Sequence, residues 1–371
     1  MAKIDSLFHL LHANHGSDLH LSAGNPPLLR IYGDLVRVDA PAVTAGELLA
    51  VLREMVPIER VRAFERTGDL DFAYEIPGLA RYRANFFRQN RGISAVFREI
   101  PQRIGTVEEL GLPIMLRELA LLPKGLVLVT GPTGSGKSTS LYSILQLLNK
   151  PDVNAITLED PVEYRIDGIR QVQLNVRAGM TFASGLRSIL RQDPDVIMVG
   201  EIRDGETAQI AVQAALTGHL VLSTLHTNDA PGAVSRLMEM HIEPYLVASV
   251  LLCSFAQRLV RKVCPHCAEP YDPPRALLRL FGIKDGERAA FRRGKGCYHC
   301  GNTGYLGRIG IFEVMPVTPE IQEAIVRRAH AQEISAIAQR QGVMNTLAQD
   351  AAHKIRAGIT TVEEALRFAM V

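Results

Sequence analysis

The chain has 371 residues, which at about 150 residues per domain implies two or three domains. A 47% hydrophobic and 22% charged composition excludes wholesale disorder. Forty-one basic against 39 acidic residues leave a net charge of +2, too balanced for a dedicated nucleic-acid or membrane-surface protein.

No stretch reaches the roughly 18 consecutive apolar residues of a membrane helix. The longest apolar run, Tyr245 to Ala256, carries Ser249 and Ser254 and predicts a buried helix. The N-terminal segment has Asp5 and no long apolar core, so it does not read as a signal peptide, and a cytoplasmic protein is expected. Five cysteines are too few for a secreted disulfide framework. Four of them form two CxxC pairs, which in a reducing compartment points to metal.

In chain order, Ile4, Leu7, Phe8 and Leu11 stand at helical spacing. SDLHLSAG and PLLRIYGDLVRV alternate as strands with a turn at Gly33-Asp34. Thr44 opens a helix, and Glu47 three residues on completes a capping box. DLDFAYEI and ARYRANFFRQ alternate again around Pro77-Gly78. Residues 1–103 therefore read as an α+β domain with a mainly antiparallel sheet. A linker follows and enters a short helix.

From Lys124 the pattern changes. GLVLVT, ITLED, VIMVG and LVLST are wholly apolar runs separated by helical stretches, one of which aligns Phe182, Leu186, Ile189 and Leu190 on one face. This predicts an α/β domain, residues 104–260, with a mainly parallel sheet covered on both sides. A cysteine-bearing insert is expected over 261–315. Residues 316–371 read as helical, with Ile321, Ala324 and Ile325, then Ile334, Ile337 and Ala338, on inward faces.

Gly131-Pro132-Thr133-Gly134-Ser135-Gly136-Lys137-Ser138, with Thr139 next, matches GxxxxGK[ST] between a strand and a helix. Its glycines let backbone N–H groups turn inward around phosphates, and the helix N-terminus adds its positive dipole end. Lys137 is expected at the β- and γ-phosphates of ATP and the Ser138 hydroxyl on Mg²⁺.

Two later strands end in carboxylates: Glu159, Asp160 and Glu163 after one, Glu201 after the other. Beyond the carboxyl ends of an open α/β sheet, such groups can hold Mg²⁺ or orient water. A single strand-end carboxylate is ordinary; beside a phosphate loop it is a site candidate. His219 and His226 are seven apart, so on one uninterrupted strand they would face opposite sides, unless one lies beyond the strand. An imidazole beside phosphate can report the γ-phosphate.

Cys264, Cys267, Cys297 and Cys300 offer four thiolates, enough to close a tetrahedral structural Zn²⁺ site with no open position for catalysis. His266 and His299 are alternative ligands less suited to zinc. Cys253, in LLCSFAQR, reads as a core residue.

GPTGSGKS, ITLEDPVE, QDPDVIMVGEIRD and TGHLVLSTLHTNDA, in that order, resemble the Walker A, Asp-box, Walker B and His-box motifs of the secretion-superfamily ATPases, the GspE, PilB and PilT family of type II secretion and type IV pilus motors. The N-terminal SDLHLSAGNPPLLRIYGDL resembles PilT. The tetracysteine segment and the tail, YLGRIGIFEVMPVTPEI and AGITTVEEALRFA, resemble GspE and PilB, and no AIRNLIRE-like segment is present.

The resemblance implies a PAS-like N-terminal domain, a RecA-like motor domain and assembly as a homo-hexamer. It implies that Glu163 positions or deprotonates water, that Glu201 supports Mg²⁺ and that His226 senses the γ-phosphate. Glu201 stands where many such enzymes use Asp, so direct ligation and ligation through water are both open. Arginines of the N-terminal domain would reach the neighbouring subunit's nucleotide. Arg81 and Arg83, two apart on a strand, share a face and match that stretch, with Arg98 and Arg203 as further candidates. The implied partner is an inner-membrane platform protein, so membrane association would be indirect. Two other readings share the phosphate loop. A nucleic-acid-driven motor is disfavoured by 6% aromatics and no Trp. A non-hydrolysing nucleotide sensor is disfavoured by the retained Glu163 and Glu201.

Overall fold

The computed structural model describes residues 4–369 apart from 15, 32, 33, 101, 102, 285 and 288. Gly33 of the expected Gly33-Asp34 turn and residues 101 and 102 of the linker thus lie outside the described residues. The chain divides into two compact units, Met1–Arg103 and Ile104–Val371.

The first unit runs α1 (Asp5–Ala13), β1 (Gly16–Ser22), β2 (Leu28–Ile31), β3 (Asp34–Arg37), α2 (Ala45–Met55), α3 (Ile58–Thr67), β4 (Asp69–Ile76), β5 (Ala80–Gln89) and β6 (Gly92–Ile100). Its strands form one antiparallel sheet in the order β3-β2-β1-β6-β5-β4. Alternation sorts the faces. On β5, Tyr82, Ala84 and Phe86 are buried in a core shared with the three helices, while Arg81 and Arg83 take the opposite parity. Phe8 of α1 meets Phe97 edge to face at 5.0 Å, and Phe97 meets Phe86 at 5.6 Å. At α2 the Thr44 hydroxyl accepts the Glu47 N–H and the Glu47 carboxylate accepts the Thr44 N–H. The expected capping box is formed.

The second unit starts with α4 (Ile114–Ala120), β7 (Gly125–Thr130), α5 (Lys137–Leu148), β8 (Ala155–Glu159) and β9 (Arg170–Gln173). It continues through α6 (Phe182–Ile189), β10 (Val196–Val199), α7 (Gly205–Leu216), β11 (Leu220–Leu225), α8 (Gly232–Glu239), α9 (Pro244–Val250) and β12 (Leu251–Val263). After β13 (Ala268–Pro270), α10 (Arg275–Leu280) and β14 (Arg292–Gly294) comes β15 (Tyr305–Pro316), then α11 (Pro319–Val326), α12 (Ala331–Arg340), α13 (Leu347–Arg356) and α14 (Val362–Ala369).

The seven-stranded sheet has the order β15-β12-β7-β11-β10-β8-β9, parallel except at the β15 edge. β7 is buried at every residue because both faces are covered. Leu126 and Leu128 enter one core with α6, α7 and the C-terminal helices, and Val127 and Val129 enter the other with α5. Each such side chain contributes about 1.5–3 kcal/mol of apolar burial. The fold class expected from the sequence, an α+β unit followed by a parallel-rich α/β unit with a tetracysteine segment and a helical C-terminal part, is the fold observed.

One expectation is corrected. Residues 245–256 are not a single helix: α9 ends at Val250 and β12 begins at Leu251, parallel to β7 and antiparallel to β15. A strand buried on both faces reads as a plain apolar run, which periodicity does not distinguish from a buried helix. The sheet also continues past residue 260, so the excursion that carries the cysteines lies between β12 and β15. Among the described residues no helix is long and apolar enough to cross a membrane.

Candidate functional site

Parallel strands bring their carboxyl ends to one edge of the sheet. β7 ends in the glycine loop, β8 in Glu159, β10 in the turn of Glu201, and β11 in His226.

In the loop, Gly131, Gly134 and Gly136 hold φ angles of 142°, 80° and 89°, which L side chains rarely adopt. A Cβ on Gly131 would lie 2.6 Å from both the Gln257 carbonyl and Ser135 Oγ. The loop is thus seated on β12, where Gln257 also accepts the Ser140 hydroxyl at 2.7 Å. Lys137 is buried, and its Nζ donates to the carbonyls of Gly131 at 2.8 Å and Pro132 at 3.0 Å. Burial lowers its pKa; the Glu201 carboxylate opposes that shift and the Arg258 guanidinium adds to it. Ser135 Oγ is buried with no hydrogen-bond partner among the described residues. Pro132, Thr133, Gly134 and Ser138 are exposed at the rim, and Thr139 lies beside the Tyr164 side chain. A buried ammonium held only by carbonyls, an unpartnered buried hydroxyl and a bare backbone at the head of α5 fit a polyphosphate.

Glu201 is fixed from both sides. Gly200 N–H donates to the Leu158 carbonyl at 2.8 Å, and the Thr224 hydroxyl donates to the Gly200 carbonyl at 2.8 Å. Its carboxylate pairs with Arg203 and lies 3.5 Å from His226 Nε2. The Arg203 hydrogen bond, helped by His226 and opposed by burial, holds its pKa below the ordinary carboxylate value. Glu201 is therefore an anion at neutral pH, suited to a cation or its water shell. His226 is half exposed beside it.

Glu163 lies in the loop between β8 and β9, its N–H donating to the Tyr142 hydroxyl at 3.2 Å. That hydroxyl donates in turn to Glu159, which is buried and also accepts from Thr157 Oγ1 at 2.5 Å and Gln171 Nε2 at 3.2 Å. Burial raises the Glu159 pKa against these three donors. Glu159 was among the strand-end carboxylates picked out in the sequence, whereas Tyr142, Gln257 and Arg258 were not. Strand-end position was the signal that marked Glu159, and the other three carry no motif.

His219 does not join the site. It precedes β11, and its carbonyl accepts the N–H of Gly125, the first residue of β7, so it sits at the amino edge of the sheet. The six-residue β7 separates that edge from the glycine loop by about 20 Å. The His219 Nδ1 bonds the Ala214 carbonyl at 2.8 Å and Thr217 Oγ1 at 3.3 Å, closing the end of α7. The two histidines flank β11 at opposite ends.

Arg81 and Arg83 belong to the first unit. Arg83 faces Arg98 directly across β5 and β6, Arg98 faces Asp18, and Asp18 faces Arg30, a cross-strand row of one carboxylate among three guanidiniums. Arg98 Nε donates to Asp18 Oδ1 at 2.8 Å, whereas Arg83 and Arg98 are like charges placed opposite each other, an unfavourable pairing.

The four cysteine sulfurs lie within 4.8 Å of one another, with Cys264–Cys297 at 3.9 Å, Cys267–Cys300 at 3.8 Å and Cys297–Cys300 at 3.7 Å. Tetrahedral zinc with Zn–S near 2.3 Å requires sulfurs about 3.8 Å apart. The donor set fits Zn²⁺. Burial raises the Cys300 thiol pKa, but the N–H groups of Cys297 and Gly304 and the neighbouring thiols outweigh it and bring the pKa to about 7. Outside the quartet, Cys253 is fully buried in the core and pushed up to about 12 by that burial.

Residues 94–367 match the family model described as "Type II/IV secretion system protein". The chain belongs to this family. It is 54% identical over 251 residues to the type II secretion system ATPase E of Vibrio cholerae, covering 68% of this chain and 50% of that one. It is 53% identical over 252 residues to the type IV pilus assembly ATPase PilB of Thermus thermophilus, covering 67% of this chain and 28% of that one. The chain thus spans about half the length, or less, of these relatives. The crystal structure of the pilus retraction motor PilT with bound ADP superimposes with a TM-score of 0.78 at 30% identity, covering 99% of this chain and 97% of that one. The secretion-family match includes the glycine loop, both acidic strand ends, the His226 turn and the cysteine quartet. Most of the first unit precedes it.

Proposed function

We propose that the chain is the ATP-hydrolysing motor subunit of a type II secretion or type IV pilus machine. It would work as a cytoplasmic homo-hexamer that drives addition or removal of pilin-like subunits. The observation that carries this reading is the convergence of Lys137, Glu201, His226 and the Glu163 loop at one sheet edge.

In this reading Lys137 exchanges the Gly131 and Pro132 carbonyls for the β- and γ-phosphates of ATP. The loop N–H groups and the head of α5 face the same charge. Ser138 and Glu201, the latter directly or through water, would hold Mg²⁺, which supplies charge neutralisation between the phosphates. Glu163 orients the attacking water and accepts its proton. His226 reads the γ-phosphate through its contact with Glu201. Arg81 and Arg83, with Arg98, supply cationic charge to the nucleotide of an adjacent protomer. A phosphate there would relieve the repulsion of the Arg83–Arg98 pair. His219 has no part in this scheme. Cys264, Cys267, Cys297 and Cys300 would hold Zn²⁺ as a structural centre.

ATP would close one protomer on the next, and loss of the γ-phosphate would release it. An inner-membrane platform protein is the partner through which the ring would deliver work. The test is a strain lacking the gene, scored separately for secreted protein, piliation and twitching. One of the three should be lost, restored by the wild-type chain and not by Glu163→Gln. Three unaffected traits would refute the assignment.

A further inference from the structure

We propose that Tyr142, held by the buried carboxylate of Glu159, is a positioning residue that sets Glu163 relative to the phosphate loop. The inference rests on the reading of Glu163 as the group that orients water.

Glu159 is almost fully buried at the end of β8 and receives three donors: Tyr142 OH, Thr157 Oγ1 and Gln171 Nε2. A carboxylate receiving only donors fixes the orientation of the hydroxyl that reaches it. The Tyr142 proton points at Glu159, so its oxygen is left to accept, and what it accepts is the Glu163 N–H at 3.2 Å. Tyr142 stands five residues after Lys137 on α5. The ammonium that meets the phosphate and the peptide that carries the water-orienting carboxylate are therefore both referenced to one helix.

The following residues are pinned in the same way. The Tyr164 ring packs edge-on against Tyr142 at 5.0 Å. Gln171 takes the Tyr164 carbonyl at 2.7 Å and the Ile166 N–H at 2.8 Å. An ordinary packing tyrosine would need only its ring. Here the hydroxyl is the part that bridges two chain segments. Correct placement of the catalytic group within a fraction of an ångström is a large part of the rate.

Tyr142→Phe keeps the ring and removes the bridge. In ATP hydrolysis by the full chain it is expected to lower kcat about tenfold, the scale of one hydrogen bond, with KM for ATP and affinity for ADP within about twofold. In a Glu163→Gln background, followed by single-turnover phosphate release, the same change should cost less than about twofold, because the group it positions is gone. Glu159→Gln, a second variant that disturbs the hub without altering the tyrosine, should reproduce the selective loss in kcat.

Unchanged kcat in Tyr142→Phe, or an equal fold-loss with and without Glu163, overturns the proposal while leaving the role of Glu163 intact. A melting temperature lowered by more than about 10 °C together with a parallel loss of nucleotide affinity assigns the tyrosine to packing alone and overturns it too. Wild-type turnover by Glu163→Gln removes the underlying reading and the proposal with it.

Discussion

Glu313 on β15 accepts the backbone N–H of Ala230, four residues past His226, at 2.8 Å. Its second oxygen accepts the N–H of Leu347, the first residue of α13, at 3.3 Å. One buried carboxylate thus joins the turn after His226 to the C-terminal helices, and Arg258, which donates to the Asn228 carbonyl at 2.8 Å, holds the same turn against β12. Burial raises the Glu313 pKa against these donors. Glu313→Ala strands two buried N–H groups at about 1–3 kcal/mol each. Calorimetry should show a melting temperature lower by several degrees, at about 2–4 °C per kcal/mol for a domain of this size. An unchanged transition would contradict the link.

The sulfur spacing predicts about one zinc per chain by elemental analysis. Chelation should release hydrogen-exchange protection in residues 264–304 first, since the binding energy of such sites, of order 10 kcal/mol, is folding energy of the segment they close. The core sheet should keep its protection. Full protection of 264–304 in metal-free protein would show that the cysteines pack without an ion.

A second buried carboxylate sets a pH dependence. Glu364 on α14 accepts the Arg261 N–H at 3.2 Å and pairs with its guanidinium at 2.7 Å. Burial raises its pKa, but the Arg261 hydrogen bonds and charge outweigh that and hold it below the ordinary 4.5. A carboxyl depressed in the folded state contributes stability above its unfolded pKa, and loses it as pH falls through the folded pKa. Glu364→Gln should therefore be less stable than wild type at pH 7, by about 1–2 kcal/mol for lost charge-assisted bonds. The gap should narrow as the pH is lowered from about 5 through that depressed value. A gap constant across that range would mean the carboxylate charge contributes nothing.

What was legible in the sequence was local. Thr44 and Glu47 cap a helix through bonds spanning three residues, and they do so as read. The inward faces of α11 and α12 are the residues that helical spacing picked out: Ile321, Ala324 and Ile325, then Ile334, Ile337 and Ala338. The glycine loop declared itself because its strand, turn and helix are contiguous. The residues that hold the site together were not legible, because chain folding brings them together. Tyr142 and Glu159 are 17 positions apart, and Ala230 and Glu313 are 83 apart. β12 hid in an apolar run because both its faces are covered. His219 shares a motif-like stretch with His226, yet the strand between them carries the two to opposite edges.

The central claim is that the γ-phosphate is bound and split at the glycine loop. It is tested most directly by phosphate release from Mg·ATP by the purified chain and by Lys137→Ala. The account predicts steady turnover by wild type and, without the ammonium, a rate reduced by at least about a hundredfold, the scale of removing one pre-organised charge at a transferring phosphoryl group. Equal release by the two proteins would contradict it.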